Sequence, residues 1–150
     1  MAGFLPDTSC MVAAVCSWHE HHSRAGDEIG RRLRRAEAMI VAAPALVEAY
    51  AVLTRLPAPH RLSAADALAV LEASFMGATR VIALDGRSYR ALLRRAPRES
   101  ITGGRTYDAV IAECALRARA AALLTFNVGH FAEFAARGLE IVVPGGRGGT

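Results

Sequence analysis

An alternation of short apolar runs with longer segments of helical periodicity constrains the fold of this chain most strongly. Strands that alternate with helices along a chain indicate a parallel sheet with helices packed on both faces. The sequence therefore predicts an α/β fold, a three-layer α/β/α sandwich around a central, mostly parallel sheet of about five strands. The apolar runs that supply these strands lie at residues 1–6, 39–42, 80–84, 122–125 and 139–143.

Seven helices are predicted between and after these runs. Asp7, Thr8 and Ser9 supply cap chemistry for the first helix, which runs to residue 15, and Pro44 suits the first position of the third. The first strand is predicted to be weak, because Pro6 cannot donate a hydrogen bond to a neighbouring strand. The other helices are predicted at residues 23–38, 44–56, 63–75, 88–96, 106–119 and 130–136.

The chain has 150 residues, of which 53% are hydrophobic, and this is enough for one domain with a buried core. The domain is predicted to span residues 1–144, and the glycine-rich residues 145–150 are predicted to be disordered. The three cysteines show no paired spacing, which favours buried thiols in a reducing compartment. No basic leader and no apolar run of about 20 residues is present. We therefore expect a cytoplasmic protein that does not enter a membrane.

Four polar residues are placed by this topology at one edge of the sheet. Asp7 follows the first strand, and Glu48 lies in the second turn of the helix after the second strand. Asp108 lies in the first turn of the helix that leads to the fourth strand, and Asn127 follows that strand. Parallel strands end at the same edge, where ligands usually bind. Because carboxylate and amide oxygens suit hard cations, the four residues predict a divalent-metal site.

A simpler interpretation exists for each residue alone. Asp7 and Asp108 could be ordinary acids at helix starts, and Asn127 a loop residue. Glu48 is harder to explain in this way, because it interrupts an apolar stretch where a lone carboxylate is costly. Asp85 also follows a strand, but Asp85 with the next glycine forms an ordinary turn motif, and it is not included in the site.

The motifs around these residues resemble those of one family. They are Asp7-Thr8-Ser9, Glu48 within VEAYAVLTR, the stretch GGRTYD that ends at Asp108, and TFNVGHF, which contains Asn127. Together they resemble a PIN-domain protein, and most closely the VapC-type toxin ribonucleases of bacterial toxin–antitoxin pairs. The resemblance extends from Asp7 to Val143, with the motifs in the family's order.

The resemblance implies a metal-dependent endoribonuclease that hydrolyses RNA phosphodiester bonds with a water activated by Mg²⁺, or by Mn²⁺ in its place. Asp7, Glu48, Asp108 and Asn127 would be its catalytic and metal-binding residues. Many family members have Asp at the fourth position, so Asn127 removes one negative charge and favours a single metal. The implied partners are the RNA substrate, a cognate VapB-type antitoxin and a second copy in a homodimer.

Two further residues are candidates for contact with RNA. Arg105 precedes the Asp108 helix and is a candidate for holding an RNA phosphate, although a solvated loop arginine is nearly as good an explanation. Thr125 is the second candidate, and it could instead hydrogen-bond a site carboxylate or simply end its strand.

Other clusters have a simple structural interpretation and a functional one. The net charge of +4 and the run of Arg31, Arg32, Arg34 and Arg35 suit RNA, but a solvated helix face explains the run equally well. The histidines of residues 16–22 are too crowded for a structural zinc site and are expected to be polar loop residues, or to contact RNA or a partner. An apolar stripe is expected to be mostly core, with part of it available for a second copy or an antitoxin. It comprises Leu46, Tyr50, Leu53, Leu68, Leu71 and Phe75.

The sequence alone leaves two alternative functions open. A PIN-like module could bind RNA without cutting it, but the three main acids are all present. Another Mg²⁺-dependent phosphoryl-transfer enzyme could use a doubly wound sheet, but the chain has no glycine-rich nucleotide loop and no DxDxT-type nucleophile motif.

Overall fold

A computed structural model of the chain describes residues 3–77 and 80–146. In this part of the chain, five parallel strands form one sheet in the order β3-β2-β1-β4-β5. This confirms the predicted α/β class and strand number. The strands are β1 (Gly3–Pro6), β2 (Ala38–Ala42), β3 (Arg80–Ile82), β4 (Ala122–Leu124) and β5 (Glu140–Val142).

Within the described residues, seven α-helices connect and flank the strands, and two irregular helical segments extend α4 and α7. A π-helical turn, Glu72–Met76, continues α4, and a 3-10 helix, Ala132–Arg137, continues α7. The α-helices are α1 (Thr8–Val15), α2 (His22–Arg34), α3 (Ala43–Arg55), α4 (Ala64–Leu71), α5 (Gly86–Arg95), α6 (Arg105–Arg117) and α7 (Val128–Phe131).

The central strands are buried at consecutive positions. Every residue of β1 and β4 is buried, whereas the edge strands β3 and β5 are partly exposed. Because successive side chains of a strand point to opposite faces, helices must cover both faces of the sheet. The cysteines Cys10, Cys16 and Cys114 are free and buried in this core, and burial raises the pKa of each thiol.

Local differences from the predicted elements have clear causes. The second helix ends at Arg34 instead of residue 38, because Ala36 adopts a left-handed conformation with φ 60° and Ala38 already belongs to β2. Pro6 does not prevent β1 from forming, because it is the last residue of the strand. The backbone N–H of Asp7 then donates to Leu124 O at 2.9 Å and continues the pairing.

The ends of the chain lie partly outside this description. Of the predicted tail, Gly145 and Gly146 follow β5 in a turn, and residues 147–150 lie outside the described residues. No helix in the described part of the chain is long and apolar enough to cross a membrane.

The strand order fixes where a ligand can bind. The chain moves outward from β1 to β2 and β3, then returns to place β4 on the other side of β1. The loops that follow β1 and β4 therefore diverge at a topological switch point, where open α/β sheets form their binding crevices. These loops carry Asp7 and Asn127.

Candidate active site

Asp7 stands at the switch point as the first residue after β1. Pro6 pairs with Leu124, so Asp7 faces the residue that follows β4, which is Thr125. Asp7 is also the N-cap of α1, and its Oδ1 accepts a hydrogen bond from the backbone N–H of Cys10 at 2.9 Å. The topology thus brings together residues more than a hundred positions apart in the sequence.

Two hydroxyl groups complete the surroundings of this carboxylate. Ser9 Oγ donates to Asp7 Oδ1 at 2.6 Å, and Thr125 Oγ1 donates to Asp7 Oδ2 at 2.6 Å. Three donors therefore hold the carboxylate in one orientation: Ser9 and Cys10 lie in the first turn of α1, and Thr125 follows β4. The side chain of Asp7 is only 1% exposed.

Burial raises the pKa of Asp7 from 3.8 to about 6. The hydrogen bonds from Ser9, Thr125 and Cys10 oppose this rise, and the nearby charge of Asp108 adds to it. Within the described residues, Asp7 and Glu48 form no ion pair with a basic side chain. An ionised Asp7 is thus a buried anion beside a second anion, a situation that a bound cation would relieve.

Glu48 lies on α3 and is tied to the same loop. Its Oε2 accepts a hydrogen bond from Thr8 Oγ1 at 2.8 Å. Thr8 follows Asp7 directly, so one short segment holds one carboxylate and orients another. The apolar neighbours of Glu48 in the sequence had suggested a special role, and the structure places Glu48 in the lining of a cavity.

Asp108 lies in the first turn of α6 and contacts a histidine from α7. The distance from His130 Nδ1 to Asp108 Oδ2 is 2.5 Å. The carboxylate of Asp108 is mostly buried, whereas the imidazole is about half exposed. The histidine therefore covers one oxygen of Asp108 from the solvent side.

Asn127 and Thr125 are close in sequence but differ in solvent exposure and in their hydrogen bonds. Asn127 is exposed in the cavity lining, and its backbone N–H donates to Thr125 Oγ1 at 2.8 Å. Thr125 is fully buried and donates in turn to Asp7. The structure therefore gives Thr125 the role of positioning a carboxylate, and a fully buried side chain cannot contact RNA in this conformation.

A cavity of about 410 Å³ opens in front of these groups. Glu48, Asp108 and Asn127 line it, and so does Ser9, the hydrogen-bond partner of Asp7. Three of the four predicted site residues therefore share this cavity, and Asp7 adjoins it through its hydrogen bond with Ser9. Arg105 is not in this lining; its guanidinium forms an ion pair with Glu133 at 2.7 Å. The remaining lining residues are Thr8, Val12, His19, Glu20, His21, Val52 and Phe126.

The acids suit a divalent cation in charge and ligand type. Their oxygens are hard ligands, and the Asp7–Asp108 pair is a concentration of negative charge without a basic partner on Asp7. In residues 3–77 and 80–146, however, no three His, Cys, Asp or Glu side chains already stand as a cluster that could hold a metal ion. The acids therefore suit a divalent cation by their charge and by the type of their ligand atoms, and they lie at or beside one cavity.

Several positioning contacts were not predicted from the sequence. Ser9 and Thr8 belong to the recognised Asp7-Thr8-Ser9 motif, but their separate partners, Asp7 and Glu48, were not foreseen. His130 belongs to the TFNVGHF motif, and only its place in that motif could have drawn attention to it. Its partner Asp108 lies 22 positions away in the sequence.

The other sequence clusters take mainly structural roles. Arg31 and Arg32 pair with the buried Glu28, and Arg32 also pairs with Glu37, so half of the arginine run is engaged within the protein. Of the apolar stripe, Leu53, Leu71 and Phe75 are buried, whereas Tyr50 and Leu68 are exposed. His22 Nδ1 lies 2.9 Å from Ala13 O, and no zinc cluster forms among the residues described.

Comparison with known proteins identifies the family of this chain. The family model for the PIN domain matches residues 4–136. Ribonuclease VapC40 of Mycobacterium tuberculosis is 42% identical over 120 residues, which cover 80% of this chain and 83% of the relative.

Solved structures show the same fold at lower identity. The crystal structure of Mycobacterium tuberculosis VapC20, described as a Sarcin-Ricin loop cleaving toxin, matches with a TM-score of 0.67 at 16% identity and covers 87% of this chain and 95% of that one. DNA-bound VapBC from Salmonella typhimurium matches with a TM-score of 0.64 at 22% identity, over 95% and 98% of the two chains. By its family-model match and its identity to VapC40, the chain belongs to the PIN-domain family, in its VapC-type branch.

Proposed function

We propose that this protein is a divalent-metal-dependent endoribonuclease that acts as the toxin of a toxin–antitoxin pair. The observation that carries the proposal is the buried Asp7 carboxylate at the switch point, beside Asp108 and without a basic partner in the described residues. The 42% identity to a ribonuclease supports RNA as the substrate.

The proposed roles of the acids follow from their surroundings. Asp7 and Asp108 would bind the cation, Mg²⁺ or Mn²⁺. Glu48 and Asn127 would lie farther from it, beyond these two ligands. When bound, such a cation supplies positive charge beside the phosphodiester and acidifies water for attack on phosphorus. Asp7 is suited to the central position because Ser9, Thr125 and Cys10 prevent its carboxylate from turning.

The remaining residues orient water and substrate in this proposal. Glu48 is held by Thr8 and is partly exposed to the cavity, so it can accept a proton from water that enters there. His130 holds Asp108 and stands at the solvent side of the site. Arg105, paired with Glu133, could contact RNA only if this ion pair opens.

The partners in the proposal are an antitoxin and a second copy of the chain. The VapBC complexes among the solved structures support the antitoxin. A second cavity, of about 720 Å³, adjoins Glu48 and has an apolar lining that includes Val47, Leu93 and Tyr107, all strongly exposed. Exposed apolar surface of this kind is typical of a protein-binding site.

Cleavage of purified total RNA tests the proposed function. Wild type is expected to give fragments with Mg²⁺ or Mn²⁺ and none with EDTA, and Asp108→Ala is expected to give none under any condition. Asp66→Ala is the matched control, because Asp66 is an exposed acid in the first turn of a different helix, α4. No cleavage by wild type with either metal would contradict the nuclease proposal for this RNA pool and would favour an RNA-binding module or a substrate absent from the pool.

A charge change at Asn127 tests the fourth position. Asn127→Asp should tighten Mn²⁺ binding, measured by calorimetry, by at least about fivefold, because a charge pair a few ångströms apart is worth about 1 kcal/mol even in bulk water. Ala121→Asp is the control, since it adds the same charge at the opposite end of β4. Equal Mn²⁺ affinity in Asn127→Asp and wild type would remove Asn127 from the site.

A further inference from the structure

Five aromatic or imidazole rings form a continuous series at the rim of the acidic cavity. We call this series the ring strip; it consists of Trp18, His19, His21, His60 and Phe126. None of these residues has a role in the chemistry proposed above. Three separate loops contribute them: the loop between α1 and α2, the loop between α3 and α4, and the loop after β4.

Contacts between neighbouring rings connect the strip from end to end. Trp18 stacks on His60 with ring centroids 4.1 Å apart, and the Trp18 and His19 centroids are 5.8 Å apart. The His19 and His21 centroids are 5.5 Å apart, and His21 stacks on Phe126 at 4.3 Å. The strip therefore leads from His60 and Trp18, which are both exposed, to Phe126.

The inner end of the strip lies in the candidate active site. His19, His21 and Phe126 line the same cavity as Glu48 and Asp108. Phe126 precedes Asn127 in the chain, and its backbone N–H donates to Ser9 Oγ at 3.2 Å. The inner part of the ring strip and two of the carboxylates thus line the same cavity.

The outer end of the strip is open to solvent. Trp18 is 46% exposed although its ring stacks on His60. At the inner end, the guanidinium of Arg24 lies 5.7 Å from the centre of the Phe126 ring and contacts His21 Nδ1, which adds a positive charge there. Exposed rings and a cation along one strip are features that bind single-stranded nucleic acids, since bases stack on rings and phosphates are attracted by the charge.

We propose that the ring strip is a base-stacking subsite, which binds unpaired nucleotides of the RNA next to the bond that is cut. That RNA is the ligand rests on the proposed function. Recognition by stacking needs splayed, single-stranded bases, so the substrate class is single-stranded RNA or an exposed loop. Stacking tolerates any base, and the strip would therefore supply affinity and placement more than sequence selectivity.

A purely structural role for the rings makes different predictions. If the strip only holds the three loops together, its loss lowers thermal stability and leaves RNA binding to folded protein unchanged. Direct binding and the fluorescence of the strip itself separate the two roles. Trp18 is the single tryptophan of the chain, so fluorescence excited at a wavelength that tyrosine does not absorb reports on the strip alone.

The first measurement is the affinity for a fluorescein-labelled, mixed-sequence single-stranded RNA of about 10 nucleotides, a length within the usual site sizes. Anisotropy is measured in EDTA, so that no cleavage is needed. Trp18→Ala and His21→Ala should each bind about 5- to 150-fold more weakly than wild type, the loss expected for one stacked base. Trp18→Phe and His21→Phe keep a ring and should lose much less.

Tyr50→Ala is the matched control variant. Tyr50 has an exposed ring on α3 and is absent from the linings of both cavities described above, so its loss should not change RNA affinity. Thermal unfolding of each variant shows that the binding data come from folded protein.

The second measurement uses wild type only and does not depend on how the variants fold. The single-stranded RNA should quench Trp18 fluorescence, and an abasic ribose–phosphate strand of the same length should not. Equal effects of the two strands, no binding by wild type, or full affinity of folded Trp18→Ala would each overturn the subsite.

The proposed function and the subsite fail in different ways. If RNA quenches Trp18 but no cleavage occurs with metal, the subsite stands and the nuclease assignment falls. If cleavage is metal-dependent but the abasic strand binds as well as RNA does, the nuclease assignment stands and the subsite falls.

Discussion

Replacing Asp7 with asparagine should lower RNA cleavage by on the order of 10²- to 10³-fold at saturating Mg²⁺. Losses of this size follow when one electrostatic stabiliser of a transition state is removed from a preorganised site. Asp7 is the acid at the switch point, and asparagine keeps its shape but removes its charge. The measurement is the initial rate of fragment formation from total RNA, compared at equal concentrations of folded protein.

The hydrogen bonds around Asp7 explain why the variant should fold. The side-chain oxygen of the asparagine can accept from Cys10 N–H and Ser9 Oγ, as Oδ1 of Asp7 does. Its amide nitrogen can donate to Thr125 Oγ1, which also accepts from Asn127 N–H and has lone pairs for both. Asparagine is as good an N-cap as aspartate. A loss of cleavage in Asp7→Asn would therefore result from the missing negative charge and not from a change in fold.

Asp85→Asn is the matched control for this experiment. Asp85 also follows a strand and caps a helix, accepting from the backbone N–H of Ser88 at 2.9 Å. It is exposed and outside the acidic cavity, so its replacement should leave cleavage unchanged. Cleavage by Asp7→Asn at the wild-type rate would show that the reaction takes place elsewhere.

The fold was predictable because its main signals are local. Alternating apolar runs and helical segments indicated a parallel sheet, and the five strands lie at the predicted places. Asp7 was predicted at the sheet edge for the same reason, since the end of a strand can be read from its neighbours in sequence. The early end of α2 was missed because the positive φ of Ala36 has no signal in an alanine.

The detailed contacts of the site could not be predicted, because they join residues that are distant in sequence. Thr8 contacts Glu48, 40 positions away. A bond from Thr125 to a site carboxylate was one of the alternatives, but the sequence did not show that its partner is Asp7, 118 positions away. Such pairs depend on the register between β1 and β4 and on how α3 packs, neither of which is encoded locally. Sequence motifs marked the acids, and only the fold shows which hydroxyl group orients each one.

The stability of the metal-free protein should depend on pH through Asp7. Burial raises the pKa of Asp7 from 3.8 to about 6, so between these values the folded state binds more protons than the unfolded state. The stabilising contribution of Asp7 to the free energy of unfolding is therefore fully present below pH 3.8 and is lost as the pH rises to about 6. The loss corresponds to about 3 kcal/mol in the free energy of unfolding.

Urea unfolding of wild type and Asp7→Asn in EDTA, at several pH values from about 3.5 to 7.5, isolates this contribution. Other carboxylates titrate in the same range, but they are common to both proteins and cancel in the difference. Asparagine carries no titrating proton, so the variant should gain about 3 kcal/mol relative to wild type across this window. Added Mn²⁺ should reduce the gain at pH 7, because a cation bound to the folded state offsets the buried charge of Asp7. A difference that is constant from pH 3.5 to 7.5 would show that Asp7 titrates normally, and the site would then lack the buried charge on which its metal binding is argued.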